Sequence, residues 1–270
     1  MPSRADRDPG PGPGPAGTGR LAIVGIGPGR LDQMTGRAKE AIGAADLIIG
    51  NGTYLDQVAP LLAGKEVIRS SMGKEVDRAR QAVELACSRS VVIVSGGDPG
   101  VYGMASIVLE VLEHSGLDIP VEVVPGVTAA TAAASRLGAP LSGDFVVISL
   151  SDLLTPRGEI ERRLGLAFEM GVPVVLYNPR SRGRRDHLAA AFAIALRHLP
   201  PETPVGFARD AYREGEHLAV VTLGDAAGST GEADMHATVI IGGRGSRIWR
   251  RNGGAEGIIT PRGYERKYLY

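Results

Sequence analysis

Along this chain, short aliphatic runs that suit buried strands alternate with longer stretches whose apolar residues recur at helical spacing. RLAIVG at 20–25 reads as a buried strand and passes abruptly into the glycine-rich turn IGPG. MTGRAKEAIGAAD at 34–46 predicts a helix with Thr35 as its N-cap, and LIIG at 47–50 predicts the next strand. A short VIRS strand precedes KEVDRARQAVELAC at 74–87, a helix expected to turn Val76, Ala79, Val83 and Ala86 toward one face. VVIVSGGDPGVYG at 91–103 repeats the strand-to-glycine-turn form, ASIVLEVLEHSG resumes helical spacing, and VEVVPG at 121–126 adds a strand and turn. VTAATAAASRLG at 127–138 then predicts a tightly packed helix of small residues.

SRLGAPLSG at 135–143 combines a helix end, Pro140 and small turn residues, so a domain boundary is expected near Gly143. Beyond it, FVVISL at 145–150 starts a second series. It continues with a helix over 155–170 carrying Pro156 at its first position, a strand at 172–179, and a polar helix over 184–198. PVGFARDA at 204–211, HLAVVTLGD at 217–225 and ATVIIGG at 237–243 extend the alternation. The expected organisation is a flexible Gly/Pro-rich leader over 1–19, an α/β domain over 20–143, a second over 144–243 and an extension over 244–270. Both sheets should be parallel or mixed, with ligand loops at the carboxyl ends of their strands.

The 43% hydrophobic content supplies cores, but only 4% is aromatic, so those cores must be aliphatic. Thirty basic and thirty acidic side chains balance to a formal charge of +0, which disfavours a nucleic-acid-binding surface. One cysteine, Cys87, excludes an intrachain disulfide framework, and the five histidines have no ligand-like spacing, so no metal is expected. No apolar run is long enough for a membrane-spanning helix and no apolar signal segment opens the chain, so a cytoplasmic protein is expected.

Three turns carry the candidate chemistry. GIGPGR does not match the dinucleotide fingerprint, because Arg30 stands where its last glycine belongs, yet Gly25, Gly27 and Gly29 would let a ligand approach the backbone. In SGGDPGVYG, Asp98 suits a ribose or a cationic amino group as an acceptor, or else caps the following helix. PGVTAA at 125–130 places backbone amides and Thr128 beside a ligand, or else forms only a turn into a helix. No general base is identifiable; Asp144 and Asp152 could act through a water or simply cap turns.

GIGPG, GGDPGVYG, PGVTAA, YNP and ATVIIGG, in this order, resemble the tetrapyrrole methyltransferases that use S-adenosylmethionine. LGAPLSGDFVVISLSDLLTP, YNPRSRGRR and IITPRGYERKY are similar to the members that methylate C17 of a corrin precursor. The resemblance implies a class III methyltransferase fold of two α/β domains with the cofactor held between them, a homodimer, and methyl transfer coupled to ring contraction. The implied substrate is precorrin-3B, with cobalt-factor III as the alternative. A noncatalytic regulator that binds the same ligands is the reading from a different class. It further implies S-adenosylmethionine contacts at Pro28, Asp98, Val101, Thr128, Ala129, Tyr177, Ala208 and Thr238, several through the backbone. Arg262 in TPRGY is expected to meet substrate carboxylates, or else to anchor the tail.

Overall fold

The computed structural model describes residues 19–181, 183, 185–228, 233–251 and 254–269. The chain forms two compact units: the first runs to Ile26 and resumes over Leu31–Gly126, and the second comprises Gly27–Arg30 together with the chain from Val127 onward. The predicted leader lies outside the described residues, apart from Gly19.

The first unit follows the predicted alternation. Its elements are β1 (Arg20–Gly25), α1 (Gly36–Gly43), β2 (Leu47–Asn51), α2 (Gly52–Gln57), β3 (Glu66–Ser70), α3 (Glu75–Leu85), β4 (Ser90–Ser95), α4 (Ala105–Ser115) and β5 (Val121–Val124). The strands pair in the order β3-β2-β4-β1-β5, every pair parallel. Leu21, Ile23, Leu47, Ile49, Val91 and Ile93 pack on one face against α3 and α4, while Val24, Ile48, Val92 and Val94 pack on the other against α1 and α2. Both faces are buried, which explains why the strands read as continuous aliphatic runs rather than as alternating ones. Thr35 caps α1 as expected, its hydroxyl accepting from the Ala38 amide at 3.1 Å. In α3 the predicted face is corrected at one position: Val76 is exposed. The first-turn inward position belongs to Arg78 instead, whose guanidinium donates to Ser70 Oγ at 2.6 Å and to the Ser71 carbonyl at 3.3 Å.

The second unit contains α5 (Ala129–Arg136), β6 (Gly138–Ala139), β7 (Val146–Ser149), α6 (Arg157–Met170), β8 (Val174–Tyr177), α7 (His187–Ala195), β9 (Pro204–Arg209), β10 (His217–Thr222), α8 (Leu223–Gly228), β11 (Ala237–Ile241), β12 (Arg247–Arg251) and β13 (Gly254–Ile259). Its main sheet runs β10-β9-β11-β8-β7, with only β7 and β8 parallel. One face packs on α6, α7 and α8 through Ile148, Leu176, Phe207 and Val239, with Phe168 and Phe192 among the helical partners. The other face receives α5, where Ala130, Ala133 and Ala134 meet Val175, Ala208 and Ile240.

That packing moves the boundary. The change of unit falls at Gly126–Val127 rather than near Gly143, because the alanine face of α5 belongs to the second sheet. Residues 244–259 are likewise no separate extension: β12 and β13 form a hairpin, and β13 pairs in parallel with β6, so the strand order is β12-β13-β6. The helix expected over 184–198 shortens to α7 and is apolar, burying Leu188, Ala191, Phe192, Ile194 and Ala195. Pro156 precedes α6 as its extended N-cap rather than filling its first turn.

Candidate active site

Sheet order brings the three glycine turns together. β4, β1 and β5 are neighbours in that sequence, so the turns after β1, β4 and β5 leave the same edge of the sheet from adjacent parallel strands. In parallel α/β sheets this carboxyl edge is where ligands bind. The glycines allow the turns to touch: a Cβ on Gly25 would lie 2.7 Å from the Gly97 carbonyl oxygen and 2.8 Å from the Gly126 amide nitrogen. One on Gly126 would meet the same Gly97 oxygen even more closely.

Asp98 fastens two of these turns. Its Oδ1 accepts from the Gly100 amide at 2.8 Å, and its Oδ2 accepts from the Gly126 amide at 3.0 Å. Its charge therefore serves the frame of the loops first; a carboxylate has about four lone-pair positions, which leaves capacity for a ligand hydroxyl or amino group. Val101 follows in the same turn, its amide bonded to the Asp98 carbonyl at 3.3 Å.

In the second unit, Thr128 is the N-cap residue of α5 and Ala129 its first residue. The Tyr177 hydroxyl, at the end of β8, lies 2.6 Å from Thr128 Oγ1 and accepts from the Ala130 amide at 2.7 Å. The phenol thus replaces the side-chain cap that Thr128 does not make, satisfying an amide in the first turn that has no partner inside the helix. Its hydroxyl is occupied, so the ring and backbone are what Tyr177 offers a ligand. Ala208 and Thr238 are directly opposite in the β9–β11 register, and both are buried. The Ala208 side chain belongs to the core beneath α5, so only its backbone is suited to meet a ligand.

Pro28 is buried, and its carbonyl accepts a hydrogen bond from Arg213 Nε. Nothing local in the sequence joins these residues, which are 185 positions apart. Asp152 is paired with His187, Oδ2 to Nε2 at 3.1 Å, while Asp144 is exposed. Arg262 is also exposed, with its guanidinium 5.9 Å from the centre of the Tyr264 ring. In the basic run at 180–186, Arg182 and Arg184 lie outside the described residues. Among the described residues there is no helix long and apolar enough to cross a membrane, and no group of three or more His, Cys, Asp or Glu side chains arranged to hold a metal ion.

The family described as Tetrapyrrole (Corrin/Porphyrin) Methylases matches residues 20–227, a span that contains all three glycine turns and both sheets up to β10. The chain belongs to this family. This methylase is 44% identical over 246 residues to a probable cobalt-factor III C(17)-methyltransferase of Salmonella typhimurium, covering 90% of the chain and 99% of the relative. It is 43% identical over 251 residues to a precorrin-3B C(17)-methyltransferase of a Sinorhizobium species, covering 92% and 98%. It also matches the cobalamin biosynthesis protein CbiHC of Archaeoglobus fulgidus at 41% identity, where 93% of the chain spans 54% of that longer protein. Among solved structures, the methyltransferase CobJ superposes with a TM-score of 0.82 at 36% identity, covering 90% of this chain and all of that one. A Thermus thermophilus uroporphyrin-III C-methyltransferase complexed with S-adenosylhomocysteine superposes at 0.63 with 27% identity, covering 83% and 97%. The methylase therefore has the class III fold and is an S-adenosylmethionine-dependent C-methyltransferase.

The residues present fit that cofactor chemically. In the first unit, glycine backbones at Gly25, Gly97 and Gly126 approach one another at the carboxyl edge of the sheet, beside a carboxylate with unused acceptor capacity; in the second unit, small residues open α5.

Proposed function

We propose that the chain methylates C17 of precorrin-3B and couples that transfer to contraction of the macrocycle, forming precorrin-4 and S-adenosylhomocysteine. The observation that carries this reading is near-complete coverage, 98–99%, of relatives named for C17 methylation. Because one of them is named for cobalt-factor III, the cobalt-bearing macrocycle is the second reading.

S-adenosylmethionine supplies an electrophilic methyl group on a sulfonium. The protein's own task is alignment and exclusion of water, since holding two reactants in attack geometry lowers the barrier without a covalent protein nucleophile. We assign the adenosyl contacts to Pro28, Asp98, Val101, Thr128, Ala129, Tyr177, Ala208 and Thr238. At Pro28, Ala129 and Ala208 the assignment rests on backbone proximity, and at Asp98 on its carboxylate. Arg262 is assigned to substrate carboxylates, which its planar fork suits and which the cofactor's sulfonium end does not offer. A homodimer working in the cytoplasm completes the proposal.

The test is one incubation of the full chain with isotopically labelled methyl donor and each macrocycle, followed by product mass and bond-position analysis. Label at C17 with loss of the bridge carbon from the ring is the expected result. Label only at another carbon overturns the substrate assignment.

A further inference from the structure

Outside the residues assigned to the cofactor, the segment from Arg209 to Glu216 is built with unusual care. Asp210 and Tyr212 both have left-handed backbones, with φ of +48° and +61°, a conformation uncommon for residues with a Cβ, tolerated by aspartate and costly for a tyrosine. The surroundings here hold it in place. The Tyr212 amide donates to Glu216 Oε2 at 2.7 Å, its hydroxyl lies 2.8 Å from Ser135 Oγ, and the Arg136 guanidinium stands 5.4 Å from its ring centre. Arg136 also binds Glu216 Oε1, through Nε at 2.8 Å and Nη2 at 2.7 Å. Burial pushes the Glu216 carboxyl up, but the hydrogen bonds from Arg136 and the Tyr212 amide, with the charges of Arg136 and Arg30, hold it below the usual carboxylate range. The Arg213 amide closes the turn on the Asp210 carbonyl at 2.8 Å.

What this frame holds out is the side chain of Arg213. Its Nε donates to the Pro28 carbonyl, and its stem covers Gly29 so closely that an added Cβ there would lie 2.8 Å from Cγ and 2.9 Å from Nε. Gly29 has φ of +141°, which independently disfavours any side chain. The described peptides are all trans, and in a trans peptide the carbonyl and the next amide point opposite ways. With the Pro28 carbonyl held toward Arg213, the Gly29 N–H is turned to the other side.

We propose that Arg213 is a positioning residue for the adenosyl ligand: by fixing the Pro28–Gly29 peptide plane it holds the first glycine turn in one orientation, with the Gly29 amide turned away from the arginine as a donor. The inference rests on the reading that this turn contacts the ligand. Arg213 touches no reacting atom in this scheme and works through the backbone it orients.

Two variants separate its parts on the full chain. Arg213→Met keeps an apolar stem beside Gly29 and removes the donor; Gly29→Ala keeps the donor and fills the space. The readouts are the dissociation constant of S-adenosylhomocysteine by calorimetry, KM for the methyl donor and kcat measured separately, and the melting temperature without ligand. Hydrogen–deuterium exchange over residues 26–31, with and without S-adenosylhomocysteine, reports whether the ligand covers the turn.

Arg213→Met is expected to raise the dissociation constant and KM about tenfold or more, as for loss of a hydrogen bond to a charged group. The value of kcat at saturating donor stays at wild type, and the ligand-free melting temperature falls only by the few degrees that one lost hydrogen bond costs. Gly29→Ala should also weaken binding, because the new Cβ displaces the Arg213 stem and the backbone there disfavours any side chain. If ligand protects the turn but Arg213→Met binds as wild type does, the clamp is wrong and the reading of the turn stands. If affinity is unchanged and the turn gains no protection, the reading of the turn fails and the clamp with it. Loss of affinity with a ligand-free melting temperature lowered by much more than one hydrogen bond accounts for also overturns the proposal, since Arg213 would then act through folding. Arg213→Leu, which also removes the donor and keeps an apolar side chain, replaces the Met variant should that one not fold.

Discussion

Replacing Tyr177 by Phe removes one oxygen and leaves the ring in place, so its effect isolates the hydroxyl that ties β8 to the start of α5. Two partners are lost: the Ala130 amide at 2.7 Å and Thr128 Oγ1 at 2.6 Å. Ala130 is fully buried and its amide sits in the first turn of α5, where the helix itself provides no acceptor. Leaving a buried donor unsatisfied costs about 1–3 kcal/mol, more than the net ~1 kcal/mol of an ordinary hydrogen bond. For a chain of this size each kcal/mol lowers the melting temperature by about 2–4 °C. Thr128→Val should cost less, because the Tyr177 hydroxyl still accepts from Ala130. The double variant should be less destabilised than the sum by about 0.5 kcal/mol or more, since each single change strands the other's partner. Urea melts of the four proteins, with S-adenosylhomocysteine affinity measured alongside, provide the comparison. A Tyr177→Phe protein within about 0.3 kcal/mol of wild type, or strictly additive behaviour, would refute the view that this hydroxyl caps α5.

Asp98→Ala strands the Gly100 and Gly126 amides together, so it should lower the melting temperature and weaken S-adenosylhomocysteine binding; calorimetry on the folded variant checks the second effect. The hydrogen bond from Arg37 holds the Glu122 carboxyl below the usual carboxylate range against burial, which raises it. That contribution to stability is complete above the ordinary Glu value of about 4.3 and is lost as pH falls through the lower folded value. The acid-side drop in urea midpoint should therefore be shallower in Glu122→Gln than in wild type. Arg262→Ala should impair binding of the macrocycle while sparing the cofactor, and Arg262→Lys should not restore it. Wild-type precursor affinity and C17-methylation rate in both variants would remove Arg262 from substrate recognition.

The α/β alternation was legible because it is written locally. Strands buried on both faces appear as unbroken aliphatic runs, and Thr35 announces α1 by a cap that needs only residues three apart. What lay beyond reach was partnership between distant segments. A helix after β5 would ordinarily close the first unit, and an alanine face does not declare which sheet it will meet; only its contact with Val175, Ala208 and Ile240 assigns α5 to the second. β6 is too short, at two residues, to register as a strand, although it joins the C-terminal hairpin to the body of the second unit. Arg78 was hidden for a different reason. An arginine in a helix pattern reads as solvent-facing, and here the side chain is buried, with Ser70, the Ser71 carbonyl and the Met104 sulfur as its partners.

The candidate site divides along the same line. Its turns were visible because a backbone that must approach a neighbour closely excludes side chains, and that exclusion shows in sequence as glycine and proline. Gly25 and Gly126 illustrate the cause: a methyl group on either would fall on the backbone of the adjacent turn, which cannot rotate away as a side chain could. The groups that hold those turns left no such trace. Asp98, an acid among glycines, reads in sequence as a ligand acceptor or a cap, and nothing there shows that its two oxygens receive amides from two different turns. Nothing around Arg213 in the sequence marks it, because the carbonyl that explains it lies 185 positions away. Turns whose backbones pack closely thus show in sequence through absent side chains, while the side chains that set their geometry are identified only once the fold has paired them. Mutational surveys guided by motif alone would concentrate on the first set and overlook the second.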